Sequence, residues 1–516
     1  MKKIGFPFWI LFLIAAACTP KTYTAPASKE VQVTASAPFV PVLRGLDHNP
    51  LLRLRIYVPA GSEQNIQNIV GTLNDGAVSN ISKLDVYFTG SEPNFSATNS
   101  IATIVPSSKT FEIPFNKSLK PGLHYVWFSA QLKESADLDS RVELHATALT
   151  GGGRRLAITE EEGEYNKRIG VAIRKAWDDS VHTYRIPGII TTDKGTLIAV
   201  YDIRYKHSGD LPANIDVGMS RSTDGGQTWE PMKIIMDMGA PHENNGVGDP
   251  SILFDPVTKK IWVSALWSKG NRSIAGSKPG LSPDETGQSV LASSSDDGLT
   301  WNQPYTITPQ VKNPAWKLFF PGPGNGIAMQ NGTLVFPAQY WDADHMPHST
   351  LVYSSDHGVN WKSGIGAKSN TTESQLVETA PGTLMLNMRD NRGSFRSVAT
   401  TTDMGQTWVE HHTSYKTLID PVCMASFIRA GVAVNGRAQD VLFFSNVASQ
   451  NARVDMTVKA SMDLGESWIN HQLLIDERRS FGYSALTKID NNTLGLLYEG
   501  SRDLYFVRIP VSEVVK

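Results

Sequence analysis

One short pattern occurs five times in this chain and limits what the chain can fold into. It reads Ser or Thr, one residue, Asp, one residue, Gly, two residues, Trp. The copies are Ser222–Asp224–Gly226–Trp229, Ser294–Asp296–Gly298–Trp301, Ser354–Asp356–Gly358–Trp361, Thr401–Asp403–Gly405–Trp408 and Ser461–Asp463–Gly465–Trp468. Repeats outrank other sequence signals because each copy marks one unit of a repeated architecture. The Asp carboxylate can accept backbone N–H bonds in a tight turn, and Gly takes the positive-φ position. The Trp then tucks back between the strands that the turn joins. The Asp residues stand 72, 60, 47 and 60 positions apart. That is too long for one hairpin and suits a four-stranded sheet with insertions, since propeller repeats run at roughly 40–50 residues. The stretch 171–516, roughly 345 residues, divides into six sheets of about 58. The expected fold is all-β, a six-bladed β-propeller in which five blades carry the turn and one does not. Closing the ring removes exposed sheet edges.

Charge is balanced, with 48 basic and 50 acidic residues. No basic patch stands out, so a nucleic-acid partner is not expected. The 516 residues exceed one ordinary domain and predict two. At the front, Lys2 and Lys3 precede an apolar stretch from Ile4 to Ala17 that is too short to span a bilayer. Cys18 follows Ala15–Ala16–Ala17. Residues 1–18 resemble a bacterial lipoprotein signal in which Cys18 becomes the lipidated first residue. Ordinary cleavage at an Ala-x-Ala site is the alternative. Either way the protein is exported, as an outer-membrane or cell-surface lipoprotein or, alternatively, as a periplasmic or secreted one. Cys423 is the other cysteine, so no intrachain disulfide is expected in the mature protein. Residues 19–37 are rich in Thr, Pro, Ala and Ser and read as a tether.

Residues 38–150 show alternating short strands, such as Leu52–Leu54–Ile56–Val58 against Arg53–Arg55–Tyr57. This suggests a small β-sandwich. Gly151-Gly-Gly153 marks its end, with a connector over 151–170. The sandwich, particularly Gly122-Leu-His-Tyr-Val-Trp-Phe128, resembles the N-terminal domain found ahead of Bacteroidetes sialidase propellers. That resemblance raises sugar binding beside a purely structural role. The five turns are similar to the Asp boxes of sialidase-type propellers. Such boxes also occur in receptors, lyases and assembly factors, so alone they speak for a fold rather than an activity.

Further residues extend the resemblance to the bacterial exo-sialidases of glycoside hydrolase family 33. Tyr184-Arg185-Ile186-Pro187 opens the first blade. Taken alone it is a surface arginine before a strand-breaking proline; by resemblance Arg185 is the first arginine of a carboxylate clamp. Arg204 and Asp210 stand six residues apart. The resemblance makes Arg204 a contact to a sugar hydroxyl and Asp210 the general acid/base, with Asp216 an example of an ordinary solvated loop aspartate. Asp249, in Gly246-Val-Gly-Asp-Pro250, matches an aspartate lining the pocket near the N-acetyl group, or is a turn residue before proline. Glu373 matches the base that deprotonates a tyrosine, with Glu378 as rival. Arg389 matches the second clamp arginine, with Arg392 as rival, and Arg453 matches the third. Tyr483 matches the nucleophile, although a half-buried strand aromatic is the commoner fate of a tyrosine. Glu499 matches the glutamate that orients the first clamp arginine.

The implied chemistry accounts for these residue types. A sialic acid carries a carboxylate on its anomeric carbon. Guanidinium groups bind a carboxylate in a planar, bidentate way that lysine cannot copy. The same carboxylate would repel an anionic Asp or Glu nucleophile, which a neutral tyrosine avoids. Free tyrosine has a pKa of about 10, so it needs an adjacent base. The implied function is exo-hydrolysis of terminal α-linked sialic acids from glycoproteins, glycolipids and oligosaccharides, with retention. Trans-sialidase activity, including the intramolecular kind, and a non-catalytic propeller that binds sialylated glycans are the alternatives. No metal cluster is picked out, and this chemistry requires no cofactor.

Overall fold

The computed structural model describes residues 28–516 apart from 271 and 273. The leader 1–18, with Cys18, and the start of the 19–37 tether lie outside the described residues. The described chain is all-β, with α-helix confined to short turns at Asp75–Asn80, Thr308–Val311 and Val511–Val514.

Two sheets of the N-terminal region share one core. In strand Asn49–Val58, Leu52, Leu54, Ile56 and Val58 are buried while Arg53, Arg55 and Tyr57 are half-exposed, the period of two that a one-sided sheet imposes. This strand pairs with Gly122–Leu132 and Gln32–Ser36. The second sheet sets Gln64–Leu73 between Thr110–Leu119 and Arg141–Gly151. Ile69, Ile113 and Leu149 of the second sheet join Leu54 and Phe128 of the first in one buried cluster. Each such side chain contributes about 1.5–3 kcal/mol on burial. The second sheet does not stop there. Arg141–Gly151 pairs with Asn166–Arg174, which pairs in turn with Leu504–Pro510 near the C-terminus.

The rest of the described chain forms five sheets and a sixth strand group that continues the second N-terminal sheet, in sequence order, beside a two-stranded pairing of Ser394–Phe395 with Ile419–Asp420. The first is a meander of Thr183–Thr191, Leu197–Arg204, Ile215–Ser222 and Lys233–Met236. The next four repeat this order, each with its own first, second, third and short fourth strand. The sixth uses Ser484–Lys488, Thr493–Glu499 and Leu504–Pro510, and borrows Asn166–Arg174 as its outer strand. First strands of several neighbouring sheets lie side by side. Thr183–Thr191 touches Asn245–Phe254, Ser426–Val434 touches both Thr371–Ala380 and Ser484–Lys488, and Ser484–Lys488 returns to Thr183–Thr191.

The five turns sit at one place in this scheme. Ser222, Ser294, Ser354, Thr401 and Ser461 are each the last residue of a third strand. The sixth sheet has no such turn because its outer strand comes from far earlier in the chain. In the third copy the Ser354 hydroxyl donates to Asp356 Oδ1 at 2.8 Å and accepts from the Gly358 amide at 2.8 Å. Asp356 also accepts from the Asn360 amide and side chain at 2.9 and 2.7 Å. The other four copies repeat these bonds with Thr or Ser in place of Asn360. The turns also join neighbouring sheets. Trp229 stacks edge-on against Phe506 of the sixth sheet, and Trp361 against Trp262 of the second. In these two copies the Trp reaches the neighbouring sheet, while Trp468 lies against Phe427 and Phe444 of its own sheet, as expected. Gly358 combines φ +88° with a position where a Cβ would lie 2.3 Å from the Trp262 ring, so no other residue fits.

Hydrogen bonds from the Asn360 amide, its side chain and Ser354 pull the Asp356 carboxyl down to about 2. A folded pKa below the unfolded value of about 3.9 stabilises the fold above that value, and the gain is lost as pH falls through the folded pKa. Asp356→Asn should therefore lower the melting temperature at pH 7. The gap to wild type should narrow as pH falls from about 4 toward 2. Melting curves across that range check it, and a gap independent of pH would refute it.

Candidate active site

The sheet register sends the turns and the charged cluster to opposite ends. Arg204 pairs with Ile215 at one end of the first sheet, and Leu197 with Ser222 at the other. Arg185 enters at the Arg204 end. Its strand is irregular between Arg185 and Gly188, and Ile186 holds a φ of 58°, a costly conformation for a β-branched residue. Glu499 holds it there. This carboxylate is fully buried and accepts from Arg185 Nε at 3.1 Å, the Ile186 amide at 2.9 Å and the Tyr483 amide at 2.9 Å.

Glu373 and Arg389 project from the paired strands Thr371–Ala380 and Thr383–Asp390. Arg389 Nη1 donates to Glu373 Oε2 at 2.6 Å and to the Tyr483 hydroxyl at 3.0 Å. The Tyr483 hydroxyl in turn donates to Glu373 Oε1 in a short bond. Two further guanidinium groups flank the phenol, Arg185 at 5.3 Å and Arg453 at 5.8 Å from the ring centre. Arg453 is held by the carbonyls of Phe481 and Val422 at 2.8 and 3.2 Å. Burial, and then the Glu373 charge, push the Tyr483 hydroxyl well above its usual range despite Arg389 and Arg185. The resting phenol is neutral.

Asp210 lies on the loop between Leu197–Arg204 and Ile215–Ser222, with 68% of its side chain exposed. Its Oδ1 accepts from Arg204 Nη1 at 2.7 Å and Arg185 Nη1 at 3.4 Å. Partial burial raises its pKa, but Arg204, Arg185 and Arg389 outweigh that and hold the carboxyl below its ordinary value. Arg204 is buried, fixed by Asp202 Oδ2 at 3.1 Å to Nε and 2.8 Å to Nη2. The other Asp202 oxygen accepts the Asp249 amide at 2.8 Å and holds that residue at a φ of 56°. Burial, followed by the charges of Asp202 and Asp210, raises the Asp249 carboxyl well above the usual range.

All nine sequence-predicted residues thus sit in one linked cluster or beside it. The rivals do not. Glu378 caps a turn, accepting from the Gln330 and Gly382 amides at 2.8 and 2.9 Å. Arg392 is engaged by Asp390 at 3.0 Å. Asp216 corrects an expectation. It is no solvated loop residue but a buried strand residue that accepts from the Tyr205 hydroxyl at 3.0 Å. Burial and Asp237 raise it to about 6. Sequence reasoning missed Asp202, although its two-residue offset from Arg204 was visible, and Phe481, whose ring stacks 4.3 Å from the Arg185 guanidinium. Beneath the cluster the Cys423 thiol is pushed up to about 12 by burial, so it is no nucleophile. Away from the cluster, His411, His412 and Glu466 bring three potential metal-ligand atoms within 4.8 Å of one another. The sequence reading picked out no such group, because Glu466 joins the adjacent histidines only through the fold.

Two family models match the chain, the N-terminal domain of BNR-repeat neuraminidase over 30–154 and the BNR repeat-like domain over 169–497. A sialidase of Bacteroides fragilis is 41% identical over 515 residues, which covers 92% of this chain and 94% of that one. A sialidase of Micromonospora viridifaciens is 35% identical over 327 residues, 61% of this chain and 50% of that one. Among solved structures, the Hadza microbial sialidase Hz136 superposes with a TM-score of 0.88 at 38% identity, over 93% of this chain and 100% of that one. Matched by both models in order and aligned along nearly its whole length, the chain belongs to the sialidase family of BNR-repeat neuraminidases.

Proposed function

We propose that the protein is an exo-sialidase that removes terminal α-linked sialic acids from glycoproteins, glycolipids and oligosaccharides, with retention of configuration. One observation carries this reading: the hydrogen-bonded triangle of Tyr483, Glu373 and Arg389, with Arg185 and Arg453 on either side of the phenol. Arg185, Arg389 and Arg453 take the substrate carboxylate. Arg389 Nε is buried without a hydrogen-bond partner among the described residues, a donor that an arriving anion can satisfy. The Tyr483 oxygen attacks the anomeric carbon as its proton passes to Glu373, which already accepts it. Asp210 gives a proton to the departing sugar oxygen. In the second step Asp210 takes a proton from water, the water oxygen attacks the anomeric carbon, and Tyr483 leaves with its proton regained from Glu373. Asp210 must be protonated for the first step. Substrate carboxylate drawing on Arg185 and Arg389 weakens two of the three charges that hold it ionised. Arg204 and Asp249 contact substrate hydroxyl or N-acetyl groups, and Glu499 orients Arg185.

The same reading extends to architecture and placement. The six sheets are the blades of a propeller and the five turns are its Asp boxes, supported by side-by-side first strands that lead from the sixth sheet back to the first. Residues 38–150 form a β-sandwich unit ahead of it. The protein is exported and lipidated at Cys18.

Release of free sialic acid from sialyllactose, with NMR identification of the first-formed anomer, tests the reaction. A β-anomer formed first, or no release, would overturn it. A fluorinated sialosyl fluoride should leave its mass on Tyr483, because electron withdrawal slows both steps while the good leaving group preserves the first. Tyr483→Phe should lose the adduct and nearly all hydrolysis while still folding; an adduct on Glu373 or Asp210 would sink the assignment. Arg389→Lys keeps the charge and loses the fork. A charge-assisted hydrogen bond contributes roughly 1.5–3 kcal/mol, so kcat/KM should fall by about tenfold or more. Unchanged kcat/KM would remove Arg389 from the clamp. For placement, Cys18→Ala should move the protein from the membrane fraction to the soluble one, and equal partition of the two forms would mark an ordinary cleaved signal.

A further inference from the structure

Trp177 is 61% exposed, the most exposed tryptophan among the described residues. It lies on the segment that crosses from the outer strand of the sixth sheet, Asn166–Arg174, to the first strand of the first sheet, Thr183–Thr191. The segment is built to hold it outward. Trp177, Asp179 and Ser180 all have positive φ, at 74°, 51° and 61°, a costly arrangement for residues with side chains. Three hydrogen bonds impose it. The Trp177 amide donates to the Val181 carbonyl at 2.6 Å, the Asp178 carboxylate accepts the Lys175 amide at 3.0 Å, and the Asp503 carboxylate accepts the Ala176 amide at 2.7 Å. The Arg502 guanidinium lies 5.7 Å from the centre of the indole, and the His182 ring meets it edge-on at 5.1 Å. With Arg502 on it and most of its area in water, the ring is a supported platform.

The platform stands next to the charged cluster. Arg502 accepts the Tyr184 amide through its carbonyl at 3.0 Å, and its turn follows directly from Glu499. His182 donates its amide to the Tyr205 carbonyl at 3.3 Å, where the loop carrying Asp210 begins. His182 precedes Arg185 by three residues, about 10 Å along a strand. Trp177 is therefore on the Asp210 side of Arg185. A group that protonates the departing oxygen must face the departing sugar, so that sugar extends toward Trp177.

We propose that Trp177, backed by Arg502 and His182, is the subsite for the sugar to which the sialic acid is attached. This rests on the exo-sialidase reading. A pyranose presents a face of C–H groups that an aromatic ring can cover, while its hydroxyls stay in water. The occupant is a neutral hexose, whose C–H face meets the indole without needing a charge partner.

The test compares two substrates that share the sialic acid. Sialyllactose offers a hexose to the platform and α-sialosyl fluoride offers none. In Trp177→Ala, the ratio of kcat/KM for sialyllactose to that for the fluoride should fall roughly fivefold, the size of one aromatic contact. Trp177→Phe should restore part of the ratio. An unchanged ratio would overturn the subsite, as would equal losses on both substrates, which would mark damage to the clamp. Wild-type protein inactive on both would overturn the sialidase reading itself, and the subsite with it.

Discussion

The Glu499 carboxylate is the interaction on which the cluster depends. It is fully buried, and burying a charge is expensive unless it is paired and hydrogen-bonded. Here three N–H groups satisfy it, and they come from opposite ends of the sequence. Arg185 lies 314 residues before it and belongs to the first sheet, while the Tyr483 amide leads into the sixth. One oxygen orients the guanidinium of Arg185 and holds the unusual backbone of Ile186; the other fixes the start of the segment that carries the phenol. Removing it would strand a buried guanidinium and release the strain at Ile186. The cluster thus exists only where the first and sixth sheets meet, and its geometry is a consequence of their docking.

Electrostatics then decides which groups are charged. Three arginines converge on one phenol, yet the phenol stays neutral, because burial and Glu373 outweigh Arg389 and Arg185. A full tyrosinate would engage the arginines itself and would repel an arriving carboxylate. A neutral hydroxyl already bonded to Glu373 leaves the arginines available to the substrate anion, and it gives up its proton only as the new bond forms. Asp210 and Asp249 show the same division of environments in carboxyl groups. Asp210, exposed and paired with Arg204, is held down; Asp249, buried near two other carboxylates, is driven up.

The sequence made much of this legible because the informative signals are local. The five turns close hydrogen bonds within four residues, so a five-fold pattern can be read without knowing what packs where. Several site residues were carried by a short motif, such as Tyr184-Arg185-Ile-Pro187 or Gly246-Val-Gly-Asp-Pro250. What stayed hidden depends on distant partners. Asp216 looked like a loop aspartate because nothing nearby in sequence shows that Tyr205 and the strand will bury it. Phe481 carried no local signal, since its partner Arg185 lies almost three hundred positions earlier. The sheet that runs from Gln64–Leu73 through Asn166–Arg174 to Leu504–Pro510 was equally invisible, because strand patterning gives a face but not a partner.

That sheet changes how the N-terminal region should be regarded. A tethered accessory module would have its own core and a mobile linker. Here residues of both regions share one buried cluster, in which Leu54 and Phe128 join Tyr201 and Phe506. The Lys167 side-chain nitrogen donates to the Pro38 carbonyl, fastening the strand before the first sheet to the N-terminal unit. Asn166–Arg174 is edge-paired on both sides, by the N-terminal sheet and by the last strand of the chain. The strand that completes the sixth sheet is thus also the strand that carries the N-terminal unit. Since the sixth sheet supplies Tyr483 and Glu499, order in the N-terminal unit reaches the reacting groups through one continuous run of backbone hydrogen bonds.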